Sequence, residues 1–225
     1  VASHDLKEPL RKVMTYSDRI ITGYREKLDK SGQFFFDRLR ASTIRMQHLI
    51  DDVLIYSRVT TQAKPFEKID LSKIIDEIIG DLEVRITETK GKVTHKDLPT
   101  IKGDPTQIHQ LFQNLISNAL KFHSADRPPK VKVSCNGKEE NFYKITVEDN
   151  GIGFDNKYLD KIFKPFQRLH NQSEYEGSGI GLAICQKIVA RHGGVLSANS
   201  KLDKGTKFKI SFPVTPIEKP VPEIK

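Results

Sequence analysis

A helical hairpin followed by an α/β domain, with a sheet covered by helices on one face, is the fold class that three features of this sequence predict. Apolar residues recur every four and three positions through residues 6–56, the signature of packed helices. The period then changes beyond a polar stretch from Thr60 to Pro65, which reads as a linker. The remainder mixes short alternating strands with helices but shows no regular βαβ repeat, which favours a one-sided sheet over a doubly wound fold.

In the first helix Leu6, Leu10, Val13, Ser17, Ile20 and Tyr24 form a bundle seam. With Leu6 at position d, His4 falls at b and faces solvent. Pro9 has no N–H for the carbonyl of Asp5, so it loosens the turn that holds His4. A neutral imidazole beside a carboxylate that orients it or takes its proton is a nucleophile candidate, with a plain surface histidine as the alternative. A turn at Asp29-Lys30-Ser31-Gly32 leads to a second helix with Phe35, Leu39, Ser42, Met46, Leu49, Val53 and Tyr56. One stripe per helix cannot be covered within a single hairpin, so a second copy completing a four-helix bundle is expected.

Beyond the linker, Asp70 or Ser72 can cap a helix carrying Ile74, Ile75, Ile78, Ile79 and Leu82. Val93, Ile101, Val131 to Cys135 and Ile145 to Val147 read as strands. Asp104-Pro105 is a helix start, an N-cap followed by proline at N1. A last helix from Gly181 to Arg191 stops at His192-Gly193-Gly194, and residues 195–200 and 207–212 then read as a hairpin.

The 225 residues, 37% hydrophobic and 29% charged, suffice for one or two domains with real cores. No apolar run approaches the roughly 20 residues that span a bilayer. The chain starts with neither a signal peptide nor an initiator Met, so it is expected to be a soluble, cytoplasmic fragment of a longer protein. Cys135 and Cys185 read as buried thiols in a reducing compartment. The 37 Lys and Arg against 29 Asp and Glu give +8, but the two signs interleave along the chain, which favours a solvated surface and no nucleic acid.

Three further stretches carry chemistry. In "LFQNLISNALKFH", Asn114, Asn118 and Lys121 share one helix face, where amide oxygens suit Mg²⁺ and the ammonium suits phosphate; a plain polar face is the alternative. In "VEDNGIGF" a strand delivers Asp149, able to accept from an exocyclic amine, beside Gly151 and Gly153, where a ring can approach backbone closely. In "EGSGIGLAI" Gly177, Gly179 and Gly181 lie at the mouth of a helix, where free N–H groups can bind phosphate. The polar "QRLHNQSEYE" ahead of it reads as a lid and not as the buried strand of a dinucleotide fold.

Taken in order, these pieces resemble the catalytic core of sensor histidine kinases of two-component systems, over nearly the whole chain. "SHDLKEPLRKV" looks like the phosphoacceptor H-box in its phytochrome-like variant. "QNLISNALKFH" resembles the N-box, "DNGIGF" the G1 box, "IFKPFQRLH" the F-box, "GSGIGLAI" the G2 box and "KGTKF" the final glycine turn. The resemblance implies a dimerising, histidine-phosphotransfer hairpin over 1–62, a Bergerat-type ATP-binding α/β sandwich over 63–215 and a tail over 216–225. It makes His4 the phosphorylated nucleophile and Asp5 its orienting acid. Asn114 and Asn118 would hold Mg²⁺ and phosphates, Lys121 the phosphates and Asp149 the adenine amino group. Gly151, Gly153, Gly177, Gly179 and Gly181 would shape pocket and lid, and Phe163 and Phe166 would anchor the lid. The implied cofactors are ATP and Mg²⁺. The implied partners are a second copy, a response-regulator receiver domain and an upstream sensor domain. A hinge near Thr60 to Pro65 is expected to swing the ATP-binding domain. Glu8, four residues after His4, stands where kinases that dephosphorylate their regulator usually carry Thr or Asn, so weak phosphatase activity is expected. An ATP-driven clamp of the Hsp90 or MutL type, a catalytically silent scaffold and a nucleic-acid binder are the alternatives.

Overall fold

The computed structural model describes residues 2–61, 64–169, 175 and 177–215, with side chains from Lys7 onward. The tail over 216–225 lies outside the described residues, as do positions 62 and 63 of the linker. The chain divides into two compact units, Val1–Ile55 with Glu176–Ser178, and Tyr56–Tyr175 with Gly179–Lys225.

In the first unit helix α1 (Ala2–Tyr24) runs into a 3₁₀ turn (Arg25–Lys27) and helix α2 (Lys30–Thr61). Ion pairs Lys7–Asp51 at 2.5 Å, Arg40–Asp18 at 3.0 Å and Arg25–Asp37 at 3.2 Å mark the antiparallel register. Exposed pairs of this kind each contribute at most about 1 kcal/mol, so they report the register more than they enforce it. The reversal lies earlier than the Asp29–Gly32 turn that the sequence suggests. The Asp29 carboxylate accepts from Gly32 N at 2.7 Å, so Asp29 caps α2 and Lys30, Ser31 and Gly32 form its first turn. Pro9 sits inside α1 as expected. Among the described residues of the first unit, the buried side chains are the small polar Ser17 and Thr43. The four-and-three stripe remains open, with Phe35 66%, Met46 50% and Leu39 45% exposed.

Among its described residues, the second unit holds a five-stranded sheet in the order β2-β4-β5-β7-β6. They are β2 (Lys92–Lys96), β4 (Lys130–Glu139), β5 (Phe142–Asp149), β6 (Val195–Lys201) and β7 (Gly205–Pro213). β2 pairs parallel with β4, and the other neighbours pair antiparallel. A separate pair, β1 (Glu67–Asp70) with β3 (Thr100–Gly103), sets Ile69 opposite Ile101. Only Ile101 of this ribbon was legible as strand, because "EKID" is four residues long and mostly charged.

The helices start where the sequence places their caps. Asp70 accepts from Ser72 N ahead of α3 (Leu71–Asp81), and Asp104 accepts from Gln107 N ahead of α5 (Pro105–Lys121). A short α4 (Glu83–Glu88) and α6 (Leu159–Ile162) intervene, and α7 (Gly181–Arg191) ends at Gly193, whose φ is +70°. Val131, Val133, Ile145, Val147, Phe208 and Ile210 fill the sheet's inner face beneath α3, α5 and α7. Period-two alternation sends the intervening residues to the other face. These are Lys92 and Lys96 in β2, Lys130 and Lys132 in β4, Lys144 and Glu148 in β5, Lys207 and Lys209 in β7, and Lys201 in β6. Lysines that interleave with acids along the sequence therefore gather on one solvated sheet face, with Glu148 among them.

A largely buried polar cluster fastens Tyr56, Val59 and Lys64 to α5 and α7. Arg191 Nη1 donates to Asp104 Oδ2 at 3.1 Å and to Gln107 Oε1 at 2.8 Å, while Arg191 Nη2 donates to Lys64 O at 2.8 Å. Lys64 N donates to Asp104 Oδ2, Gln107 Nε2 to Val59 O, and Lys187 Nζ to Tyr56 O. His192 stacks on Phe66 at 4.5 Å and accepts from Asp104 N on Nε2. Burial lowers its pKa to about 4, so it stays neutral, and the stability it confers is lost only as pH falls from about 6.5 towards about 4. Because Asp104 is almost fully buried, Arg191→Met leaves an uncompensated carboxylate. Urea unfolding should show a loss of about 3–5 kcal/mol, partly restored by adding Asp104→Asn.

Candidate functional site

The end of β5 delivers Asp149 to a pocket edge built mostly of backbone. Its Oδ1 accepts from Gly151 N at 2.8 Å and from Thr206 N at 3.1 Å. Burial nevertheless raises the carboxyl to a pKa of about 6, and Glu148 next to it adds to that rise against the two N–H donors. With Oδ1 used by the protein, Oδ2 remains to accept from a ligand amine.

The fit around this carboxylate depends on missing side chains. A Cβ on Gly151 would meet Phe122 O at 2.3 Å, and one on Gly205 would meet Asp149 O at 2.0 Å. Both are closer than any real contact, so "DNGIGF" is wedged against the end of α5 at Gly151 and against "KGTKF" at Gly205. Gly153 follows in the same turn. Ile152 N donates to Phe122 O at 2.9 Å, which joins the loop to the C-terminal end of α5. Arg127 Nη2 bridges Gly151 O and Asp203 O at 3.2 and 3.1 Å, and Asn150 holds the start of β4 through Lys130 N and Pro128 O.

Asn114, Asn118 and Lys121 lie half-buried along α5. Asn114 Nδ2 donates to Gly181 O at 3.5 Å, linking that face to the first residue of α7. Lys121 Nζ stands 4.2 Å from the Phe122 ring centroid, and the Tyr175 ring lies 4.9 Å from Phe122. Gly177 lies in the segment ahead of α7, and Gly179 O accepts from Phe166 N at 3.1 Å. Arg168 donates to Tyr175 O, so the two ends of the polar stretch are tied together, while residues 170–174 lie outside the described residues. Phe166 is anchored through this backbone bond, not through its ring, which is 60% exposed. Phe163 is half-buried.

Asp149, Gly151, Gly153, the α5 face and the mouth of α7 thus converge within the second unit. A flat adenine beside Asp149 and phosphates over α5 fit this set. Among the described residues no group of three or more His, Cys, Asp or Glu could hold a metal ion. The Asn114 and Asn118 amides suit Mg²⁺ only as partial ligands, with phosphate oxygens completing the shell. Burial pushes the Cys185 thiol up to about 12, which makes it an inert core group, whereas Cys135 is only half-buried.

His4 and Asp5 lie in α1, but their side chains fall outside the described residues. Glu8 pairs with Lys12 at 2.8 Å, so part of the negative charge it places one turn from His4 is balanced. Sequence reasoning missed Thr206, Arg127 and Asn150. The first acts through its N–H, invisible in a side-chain pattern, and the others act by holding turns. No described helix is long and apolar enough to cross a membrane.

Residues 103–216 match the family described as "Histidine kinase-, DNA gyrase B-, and HSP90-like ATPase", and residues 1–62 match "His Kinase A (phospho-acceptor) domain". Cyanobacterial phytochrome A of Nostoc sp. is 44% identical over 214 residues, covering 95% of this chain and 28% of that protein. Sensor protein kinase WalK of Staphylococcus aureus is 33% identical over 227 residues, covering 96% of this chain and 36% of that protein. The chain therefore spans about a third of the length of these relatives. The solved structure of full-length ShkA in complex with AMPPNP superposes with a TM-score of 0.73 at 23% identity, over 97% of this chain and 46% of that one, which supports the fold. A phospho-acceptor domain in front of this ATPase fold is the arrangement of a sensor histidine kinase core, and the chain belongs to the histidine kinase family.

Proposed function

We propose that this chain is an ATP-dependent autokinase that phosphorylates His4 and passes the phosphoryl group to an aspartate of a response-regulator receiver domain. The observation that carries this reading is Asp149, with one oxygen held by two backbone N–H groups and the other left for an exocyclic amine, in a chain with a phospho-acceptor domain. Asp149 selects adenine, Gly151 and Gly153 let the ring approach, and Gly177, Gly179 and Gly181 shape the phosphate end beside Asn114, Asn118 and Lys121. Mg²⁺, arriving with the nucleotide, would neutralise phosphate charge from the Asn114 and Asn118 side. The neutral imidazole of His4 attacks the γ-phosphorus, the bond to the ADP oxygen breaks, and the other ring nitrogen's proton passes to Asp5. Most of the acceleration is positioning and charge stabilisation.

The apolar stripe of α2 supports a homodimer, since Phe35, Leu39, Met46 and Val53 have no cover within the single hairpin. The functional division we adopt is 1–62 for dimerisation and phosphotransfer and 63–215 for ATP binding, in the cytoplasm, with the sensor domain upstream.

Incubation with ATP labelled in the γ position tests the reading. Acid-labile, base-stable label on the protein is expected; phosphate release without label would indicate a clamp, and neither a scaffold. Asn118→Ala should leave folding intact, because a half-buried amide on a polar face contributes little to the core, while Mg²⁺-dependent nucleotide affinity and labelling fall together by about tenfold or more. If both were unchanged, the assignment of Asn118 would be wrong.

A further inference from the structure

We propose that the outer face of the five-stranded sheet is a docking surface for an anionic lipid bilayer. The strand register sets Lys92 directly opposite Lys130 across the parallel pair, with Lys132 two residues further along β4. On β7, Lys207 and Lys209 occupy successive outward positions. Residues two apart on a strand are about 7 Å apart and neighbouring strands about 4.8 Å, within a Debye length of about 8 Å, so these ammonium groups repel one another with only partial screening. Like charges directly opposite destabilise a sheet. Glu148 offsets part of this through Lys207 at 3.0 Å, but among the described residues no ion pair engages Lys92, Lys130, Lys132 or Lys209. A surface that holds uncompensated positive charge in this way suits a polyanion.

The chemistry of the face selects the bilayer. Its cations are all lysines, strongly hydrated point charges that favour diffuse attraction over the bidentate phosphate contacts of arginine. The aromatic Phe142 lies at the β4–β5 tip with Lys144 Nζ 5.6 Å from its ring, away from the central lysines, so the face has no stacking platform for single-stranded nucleic acid. It also carries no central Trp, Tyr or Arg anchor of the sort that dominates protein interfaces. An anionic bilayer needs neither, and clustered lysines are drawn to its negative surface potential, each by about fivefold in affinity. The sheet's twist turns the outer strands aside, so β4, β5 and β7 make first contact.

The test is co-sedimentation of the 225-residue chain with vesicles of phosphatidylglycerol in phosphatidylcholine, and with phosphatidylcholine alone. Binding is expected to the first and not the second, and to vanish as ionic strength rises from about 0.05 M to about 0.5 M. The triple variant Lys130→Glu, Lys132→Glu and Lys209→Glu should lose about 100-fold in vesicle affinity. A control with the same charge change on exposed positions off this face, Lys68→Glu, Lys73→Glu and Lys102→Glu, should lose less than about fivefold. Circular dichroism spectra and nucleotide binding like those of the unmodified chain verify folding of both variants. Equal losses in the two triples, absence of binding to phosphatidylglycerol vesicles, or tighter binding to duplex DNA than to vesicles would each overturn the proposal.

Discussion

His4→Gln takes no label from ATP and still binds the nucleotide. Glutamine keeps polarity and helix propensity at a position of α1 that the heptad pattern turns away from the seam, but has no ring nitrogen able to attack phosphorus. Asn114, Asn118, Lys121, Asp149, Gly151 and Gly153 lie in the second unit and His4 in the first, so affinity for ATP is unaffected. The loss in labelling should be complete within detection, because nucleophilic displacement has no substitute once the nucleophile is gone. His48, on α2, lacks the setting of a following acid and a nearby proline. Mass mapping of the unmodified protein should place the phosphoryl group on the peptide that carries His4. Persistent label in the variant would remove His4 from its role.

Asp149→Asn should lower ATP affinity by about 100-fold and at the same time stabilise the fold at alkaline pH. The amide oxygen can keep both backbone bonds, from Gly151 N and Thr206 N, so the turns remain in place. The free position then becomes an NH₂ donor aimed at another donor, the purine amine, and sites built on a specific hydrogen bond reject a mismatched partner by large factors. Stability moves the other way. The carboxyl is raised from 3.8 to about 6 in the folded state, so the folded protein binds this proton more tightly than the unfolded chain. Its stabilising contribution is complete below about pH 4 and is lost as pH rises through about 6. Above that, the ionised group opposes folding, and the substitution should raise the unfolding free energy by about 1–3 kcal/mol at pH 8. At pH 4 there should be little difference. Urea unfolding at the two pH values, together with titration of a fluorescent ATP analogue, measures both effects. Loss of stability at pH 8 would mean that the carboxylate is a structural tie and not a ligand held at an energetic cost.

Side-chain periodicity made the helices legible, because Leu6 to Tyr24 and Phe35 to Tyr56 repeat over many turns, and caps such as Asp104-Pro105 marked where others begin. The glycine turns carried the pocket, since Gly151 and Gly153 sit two and four residues past the end of a strand. What stayed hidden was either backbone or distant pairing. Thr206 N–H reaches Asp149 only because β7 pairs with β5, and a contact separated by that much sequence leaves no local trace. Ribbon β1–β3 was missed for a similar reason, as "EKID" gains its strand character from Thr100 to Gly103 alone. The turn before α2 was placed late because Ser31-Gly32 reads as a break, whereas an Asp cap tolerates Gly in the first helical turn. The solvated surface was legible from charge, but its spatial pattern was not. Interleaving along the chain says nothing about a sheet, whose period of two sorts neighbours onto opposite faces.

The clasp around Asp104 changes what kind of machine part α5 is. Val59 and Lys64, on either side of positions 62 and 63, are both gripped at the first turn of α5, through Gln107 and Asp104. Both contacts lie within the second unit, so these two residues are splined to the start of α5. From there α5 runs as a rigid rod of 17 residues, about 26 Å, to Asn118 and Lys121 at its far end. A twist of residues 56–61 within the second unit would therefore be carried along this driveshaft to Asn118 and Lys121.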